Sequence, residues 1–148
     1  MVSISGDMRK ILAKMIIKEY PDDYSIVSMG LVQRKEAWEV VKDLNPFTSY
    51  TITSDEVSLI IRSSDWVKVR GGFPRHREEG PYSLITFDLI LDLSIVGFMS
   101  VVSTALAESG VSIYPLSTYL KDHILVKSGD AGKAIEVLHN LIAEAQVA

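Results

Sequence analysis

The stretch LSTYLKDHILV, residues 116–126, gathers the residue types nearest to chemistry: hydroxyls at Ser117 and Thr118, a phenol at Tyr119, and the neighbours Asp122 and His123. A carboxylate beside an imidazole suits acid–base catalysis, a binding pocket or an ordinary hairpin. Successive residues of a strand point to opposite faces, so Asp122 and His123 do not meet as an acid–base pair. That geometry favours one pocket group and one structural group. His76, His123 and His139 lie too far apart in sequence for an i,i+4 metal pair, and no cysteine is present. The chain also lacks a G-x-S-x-G elbow, a P-loop and a G-x-G-x-x-G turn. Catalysis is not expected, and neither a metal nor another cofactor is called for.

The second candidate is DLSIVG, residues 92–97, read as the entry to a helix with Ser94 as its N-cap. Unpaired N–H groups and the positive end of the helix dipole would face a ligand carboxylate there, each such contact being worth roughly 0.3–1 kcal/mol. Gly97 in the first turn would let a ligand come close, against packing on the sheet as its plain structural role. On the hairpin, strand alternation sets Leu116, Thr118 and Leu120 on one face and Ser117 and Tyr119 on the other.

Those residues need elements to hold them. Ile95, Met99, Val102 and Leu106 repeat at helical spacing, and Gly110 stands where a helix ends. Around that helix the pattern predicts strands over 82–91, 111–118 and 120–127. A last helix follows Asp130, with Ala134, Val137, Leu138, Leu141 and Ala145 on one face. The first half reads as a short helix capped by Asp7, a turn at YPDD (20–23), and a strand over 24–29. A helix over about 33–43, strands near 48–53 and 56–62, and a helical turn at 65–69 complete it.

The chain also repeats itself. YSIVSM (24–29) recurs as YSLITF (82–87) at an offset of 58, and TITSDEVSLIIRSSD (51–65) aligns on LSTYLKDHILVKSGD (116–130) at an offset of 65. Thr53/Thr118, Ser63/Ser128 and Asp65/Asp130 are identical in that register. The seven extra residues of the second half fall between its first and second strands. Duplication predicts an α+β chain of two βαββα units, antiparallel sheets covered by helices. Residues 1–70 form the first unit, the Gly-, Pro- and charge-rich GGFPRHREEGP (71–81) a linker, and residues 82–148 the second unit.

At 47% hydrophobic and 23% charged residues, the 148-residue chain has the balance of a soluble globular protein. A net charge of −4 gives no long-range pull on nucleic acid or anionic lipid. The basic run Lys68, Arg70, Arg75, His76, Arg77 is followed by Glu78 and Glu79 and lacks the aromatic signature of an RNA-binding sheet. Asp88 and Asp92 interrupt the most apolar stretch, so no membrane span is expected. A cytoplasmic location is the default for a chain with neither cysteine nor an apolar leader.

DLSIVGFMSVVSTALAESGVSIYPLSTYLKDHILV, residues 92–126, resembles the ACT domain. ACT domains are ferredoxin-like regulatory modules that bind small ligands, mostly amino acids. The nearer resemblance is to tandem-ACT proteins, a group that includes short bacterial proteins and the CASTOR-type cytosolic arginine sensors. It implies a ligand site of Asp92, Ser94, Ile95, Val96 and Gly97 at the helix entry with Leu116, Ser117, Thr118, Tyr119 and Asp122 on the hairpin. Thr118 would offer hydroxyl or backbone bonds, Tyr119 a wall, and Asp122 a partner for an ammonium or guanidinium group. A homodimer is expected as well. The competing readings are an interaction module with a degenerate pocket and, more weakly, an RNA binder.

Overall fold

Ser5 accepts a hydrogen bond from the Met8 amide at 3.1 Å and so caps α1 (Gly6–Ala13), leaving Asp7 in the first turn rather than at the cap. The apolar face read from the sequence is the buried one: Met8, Leu12 and Met15 all enter a core. The computed structural model describes residues 4–147. Beyond α1 the order is β1 (Ile17–Met29), α2 (Arg34–Val41), β2 (Ser49–Ile52), β3 (Val57–Arg62), α3 (Ser63–Val69) and β4 (Arg77–Phe87). Then come α4 (Phe98–Glu108), β5 (Tyr114–Ser117), β6 (Asp122–Lys127) and α5 (Ala131–Val147).

The fold is α+β, and its strands and helices make two ferredoxin-like units. One is Pro21–Tyr82, in strand order β2-β3-β1-β4. Here β1 runs antiparallel to β3, with Tyr24 opposite Arg62 and Met29 opposite Val57. Its core packs Val27, Leu59, Ile61, Trp66 and Phe73 together. The other unit is residues 4–20 together with residues 83–147. In it β4 is followed by α4, the hairpin β5–β6 and α5, and Ile17–Tyr20 of β1 takes the place beside β4. Asp88 N–H donates to Ile16 O at 2.7 Å there, and Gln146 Nε2 of α5 donates to Ala13 O at 3.0 Å. Met8, Leu12, Ile85, Phe87, Phe98, Leu106, Ile124, Val126 and Leu138 share its core.

Two sequence expectations fail at the boundaries between units. YPDD is no turn: Tyr20 to Asp23 lie inside the thirteen-residue β1. Proline is tolerated because the β1–β3 pairing covers only Tyr24 to Met29, so Pro21 needs no N–H on that side. Nor is 71–81 a linker throughout, since β4 starts at Arg77. Its first residues are exposed and charged and include Pro81, the dress of a strand edge, and so read as loop. The compact units accordingly begin and end inside β1 and β4 rather than at 70 and 82, and residues 4–20 go with the C-terminal unit.

Candidate functional site

The site expected from the sequence lies within the C-terminal unit, at the N-terminus of α4 and the tip of the β5–β6 hairpin. Helix α4 starts later than the Ser94 cap implied. Asp92 Oδ1 accepts from both Ser94 N–H at 2.8 Å and Ser94 Oγ at 2.6 Å, and Ile95 N–H donates to Asp92 O at 3.1 Å. Residues 92–95 are thus a turn closed on an aspartate, a use of Asp and Ser that competes with capping. The cap is Gly97, whose φ of +94° only glycine adopts without strain, and Val101 N–H makes the first helical bond to its carbonyl at 3.1 Å. The amides of Phe98, Met99 and Ser100 have no carbonyl four residues back in the helix. At the far end the sequence reading holds. Val111 N–H donates to Leu106 O at 2.9 Å and Gly110 N–H to Ala107 O at 3.0 Å, a Schellman closure around left-handed Gly110.

The hairpin supplies the opposite wall. Strand β5 ends at Ser117, and Thr118 N–H closes the turn on Lys121 O at 2.9 Å. Alternation therefore stops before Thr118, and Ser117 and Thr118 reach the same cleft instead of opposite faces. Leu91 N–H donates to Leu120 O at 3.4 Å, tying the loop before α4 to the hairpin turn. Between them lies a cleft of about 330 Å³, within the range of small-molecule sites. Asp92, Ile95, Gly97, Ser117, Thr118, Tyr119 and Asp122 line it. Ser94, Val96 and Leu116 do not: Ser94 turns to Asp92, Val96 is 88% exposed, and Leu116 is half-buried in β5.

Asp122 and His123 separate as strand geometry requires. Asp122 borders the cleft and accepts from Ser117 Oγ at 2.6 Å. His123 is buried, its Nδ1 2.8 Å from Thr86 Oγ1 and its Nε2 2.9 Å from Thr118 Oγ1. Burial lowers the pKa of His123 against the opposing pull of Asp122, with Lys121 also lowering it, so the folded chain favours the neutral ring. The hydroxyl and backbone bonds from Ser94 hold the Asp92 carboxyl below its ordinary range. No sequence pattern pointed to Lys121, whose ammonium sits 2.5 Å from Asp88 Oδ1 and lowers that carboxyl's pKa. The two are 33 residues apart in sequence, and only the fold joins them. Phe98, Met99 and Ser100 also line the cleft, brought there by the late start of α4.

Elsewhere, the basic run splits up: Arg70 NH1 and His76 Nε2 both approach Glu78 Oε1, at 3.4 and 3.3 Å. Among the described residues no cluster of His, Asp and Glu could hold a metal ion, and no helix is long and apolar enough to cross a membrane.

Residues 78–140 match the family model of the ACT domain. Those residues are similar to an ACT domain. Solved structures extend the likeness over most of its length. A protein of unknown function from Vibrio cholerae, described as a possible transport protein, is 20% identical. It matches 93% of this chain and 99% of its own at a TM-score of 0.70. A protein from Agrobacterium tumefaciens is 26% identical over 86% of this chain and 89% of its own, with a TM-score of 0.68. The regulatory subunit of aspartate kinase from Thermus thermophilus, in ligand-free form, shares the fold at 10% identity. It covers 85% of this chain and 97% of its own, with a TM-score of 0.62. No curated protein matches the sequence.

Proposed function

We propose that the chain is a regulatory ligand-binding protein of tandem ACT type, taking an amino acid in the cleft between α4 and the β5–β6 hairpin. One observation carries this reading. The cleft sets a helix N-terminus, rich in unpaired amides, against a hairpin that bears the Asp122 carboxylate. An α-carboxylate suits the first wall and a cationic group the second. The ACT match at 78–140 and the regulatory-subunit neighbour support a small-ligand role. Built to the same plan, the Pro21–Tyr82 unit is the second module of the tandem. Occupancy would be reported through an interface, for which a homodimer is the simplest form.

The test is a thermal-shift screen of the full chain against the twenty amino acids. A true ligand at 100 times its dissociation constant adds about 2.7 kcal/mol of stability. For a basic ligand, Asp122→Asn keeps the shape, removes the charge and weakens binding by about tenfold to a hundredfold, the worth of one charge-assisted hydrogen bond. A screen in which no amino acid shifts the transition sinks the reading. A basic ligand indifferent to Asp122→Asn moves the pocket elsewhere.

A further inference from the structure

Three charged side chains line the cleft, Asp92, Asp122 and Lys121, and the last is its one cation among the described residues. That charge is not left to the cleft. The Lys121 ammonium donates to Asp88 Oδ1 at 2.5 Å, and Asp88 stands just past the end of β4, outside the lining. With side chains 32% and 37% exposed, the pair costs little to open. Asp92 and Asp122 accept only uncharged donors among the described residues: the amide and hydroxyl of Ser94 and the hydroxyl of Ser117. The internal repeat shows that the frame does not require the Lys121–Asp88 pair. At the offsets of 65 and 58, Lys121 falls on Glu56 and Asp88 on Gly30. The backbone bond that closes the turn is nevertheless kept, from Thr53 N–H to Glu56 O and from Thr118 N–H to Lys121 O.

We propose that Asp88 is a positioning residue that sets the charge selectivity of the cleft from outside it. By holding the Lys121 ammonium it leaves the hairpin wall with the charge of Asp122, which selects amino acids with a cationic side chain over those with an acidic one. This rests on the proposed reading of the cleft as a ligand site. Lys121 keeps N–H groups that can still donate to a ligand, and Tyr119 adds a phenol. Neither adds net charge while Asp88 is in place. A cationic group then meets Asp92 and Asp122 with no unmatched ammonium against it. An acidic side chain meets two carboxylates and has to draw Lys121 away from Asp88 to find a partner. Once the Asp88 charge is removed, the same ammonium is released beside Asp122 and the hairpin wall becomes neutral as a whole.

Two measurements decide it, and the first needs no ligand. Carbon-13 spectra of the full-length protein follow the Asp88 carboxyl through an acid titration, in the unaltered chain and in Lys121→Gln. The hydrogen bond and charge of Lys121 hold that carboxyl below its ordinary range, with Lys18 adding to the effect, so the midpoint is expected to rise in the variant. An unchanged midpoint overturns the inference. The second measurement titrates L-lysine and L-glutamate calorimetrically into the unaltered chain, Asp88→Asn, Lys121→Gln and the double variant. Asp88→Asn keeps the shape of the residue and its backbone bond to Ile16 O. The unaltered chain is expected to prefer lysine. Asp88→Asn is expected to move the ratio of affinities towards glutamate by about tenfold, because the two ligands change in opposite directions by the worth of a partly exposed charge pair. Lys121→Gln and the double variant keep the preference for lysine, having no ammonium to release. A brace between the two walls would instead cost both ligands alike in Asp88→Asn and in Lys121→Gln. That pattern, a ratio unmoved by Asp88→Asn, or a preference of the unaltered chain for glutamate overturns the inference. If neither amino acid binds, the inference falls, whereas a neutral ligand found in the twenty-amino-acid screen keeps the proposed function.

Discussion

At the end of β1 the chain uses residues 30–33, one 3-10 turn, to reach α2; at the end of β4 it uses residues 88–97 to reach α4. Around these unequal loops the two units are built alike. Thr53 N–H closes its turn on Glu56 O at 3.0 Å, and Thr118 N–H closes on Lys121 O at 2.9 Å. Arg62 and Lys127 precede their helical turns with nearly the same backbone, φ −54° and ψ 134° against φ −53° and ψ 134°. The chemistry differs where the frame does not need it. The counterpart of Asp122 is Val57, wholly buried, and the counterpart of His123 is Ser58. Thr53 turns its hydroxyl inward to accept from the amides of Asp55 and Glu56 at 3.1 and 3.2 Å. The two hairpins share the hydrogen bond that closes the turn and differ at the lip. Among the described residues, the longer loop, with its aspartate turn, faces its hairpin across a cleft lined by polar groups of both.

Exchanging the loops tests that comparison most severely. Replacing residues 88–97 with the four residues Gly30-Leu31-Val32-Gln33 removes Asp92, Ile95 and Gly97 from the cleft together. Far-UV circular dichroism is expected to stay close to that of the unaltered protein. Affinity for the amino acid found in the screen is expected to fall by more than about a hundredfold, or about 2.7 kcal/mol. A folded exchange variant that keeps its affinity would show that the longer loop is not what makes the site.

The signals read from the sequence were those that repeat or end something. Apolar spacing gave the buried faces of α1 and α5, and Gly110 marked the end of α4 because a left-handed closure demands it. The internal repeat gave both hairpins. What misled was local chemistry with two uses. Ser94 reads as a cap, yet its hydroxyl and amide are claimed by Asp92, and the helix waits for Gly97. Pro21 and Pro81 read as breaks, yet both lie in strands where one neighbour is missing or the edge is exposed. Seven of the ten expected site residues line the cleft because they sit on two segments that the fold must bring together. The Lys121–Asp88 pair and the Thr86–His123 bond are long-range, and no local pattern announces them.

A finer test compares the glycines at the two loop ends. A β-carbon at either Gly30 or Gly97 would meet nothing within 4 Å, so crowding plays no part at either position. The difference is in the backbone: φ is −70° at Gly30 and +94° at Gly97. Gly97→Ala is therefore expected to cost about 1–2 kcal/mol, the penalty of left-handed backbone for an ordinary residue. Gly30→Ala is expected to be neutral or to stabilise by up to about 1 kcal/mol through the unfolded chain. Urea titrations of the two variants check this, and equal effects would remove the distinction drawn between the loops.

The smallest expected effect lies in a pair of serines that each unit keeps. Ser25 Oγ and Ser63 Oγ are 2.9 Å apart, with Ser25 only 7% exposed; Ser83 Oγ donates to Ser128 Oγ at 3.3 Å, with Ser83 half-buried. In each unit this bond links the first strand to the turn after the last residue of the hairpin. A hydrogen bond contributes about 0.5–1.5 kcal/mol net, and more is lost when the group left behind is shielded from water. Ser25→Ala deletes the shorter bond at the more buried position and is expected to cost about 1 kcal/mol. Ser83→Ala deletes the longer one, where water can replace the lost partner, and is expected to cost about 0.5 kcal/mol or less. Denaturant midpoints at unchanged slope separate the two. A greater loss for Ser83→Ala would mean that the C-terminal unit depends on this link more than its geometry implies. The likeness between the units would then be one of shape, with the work of holding each together distributed differently.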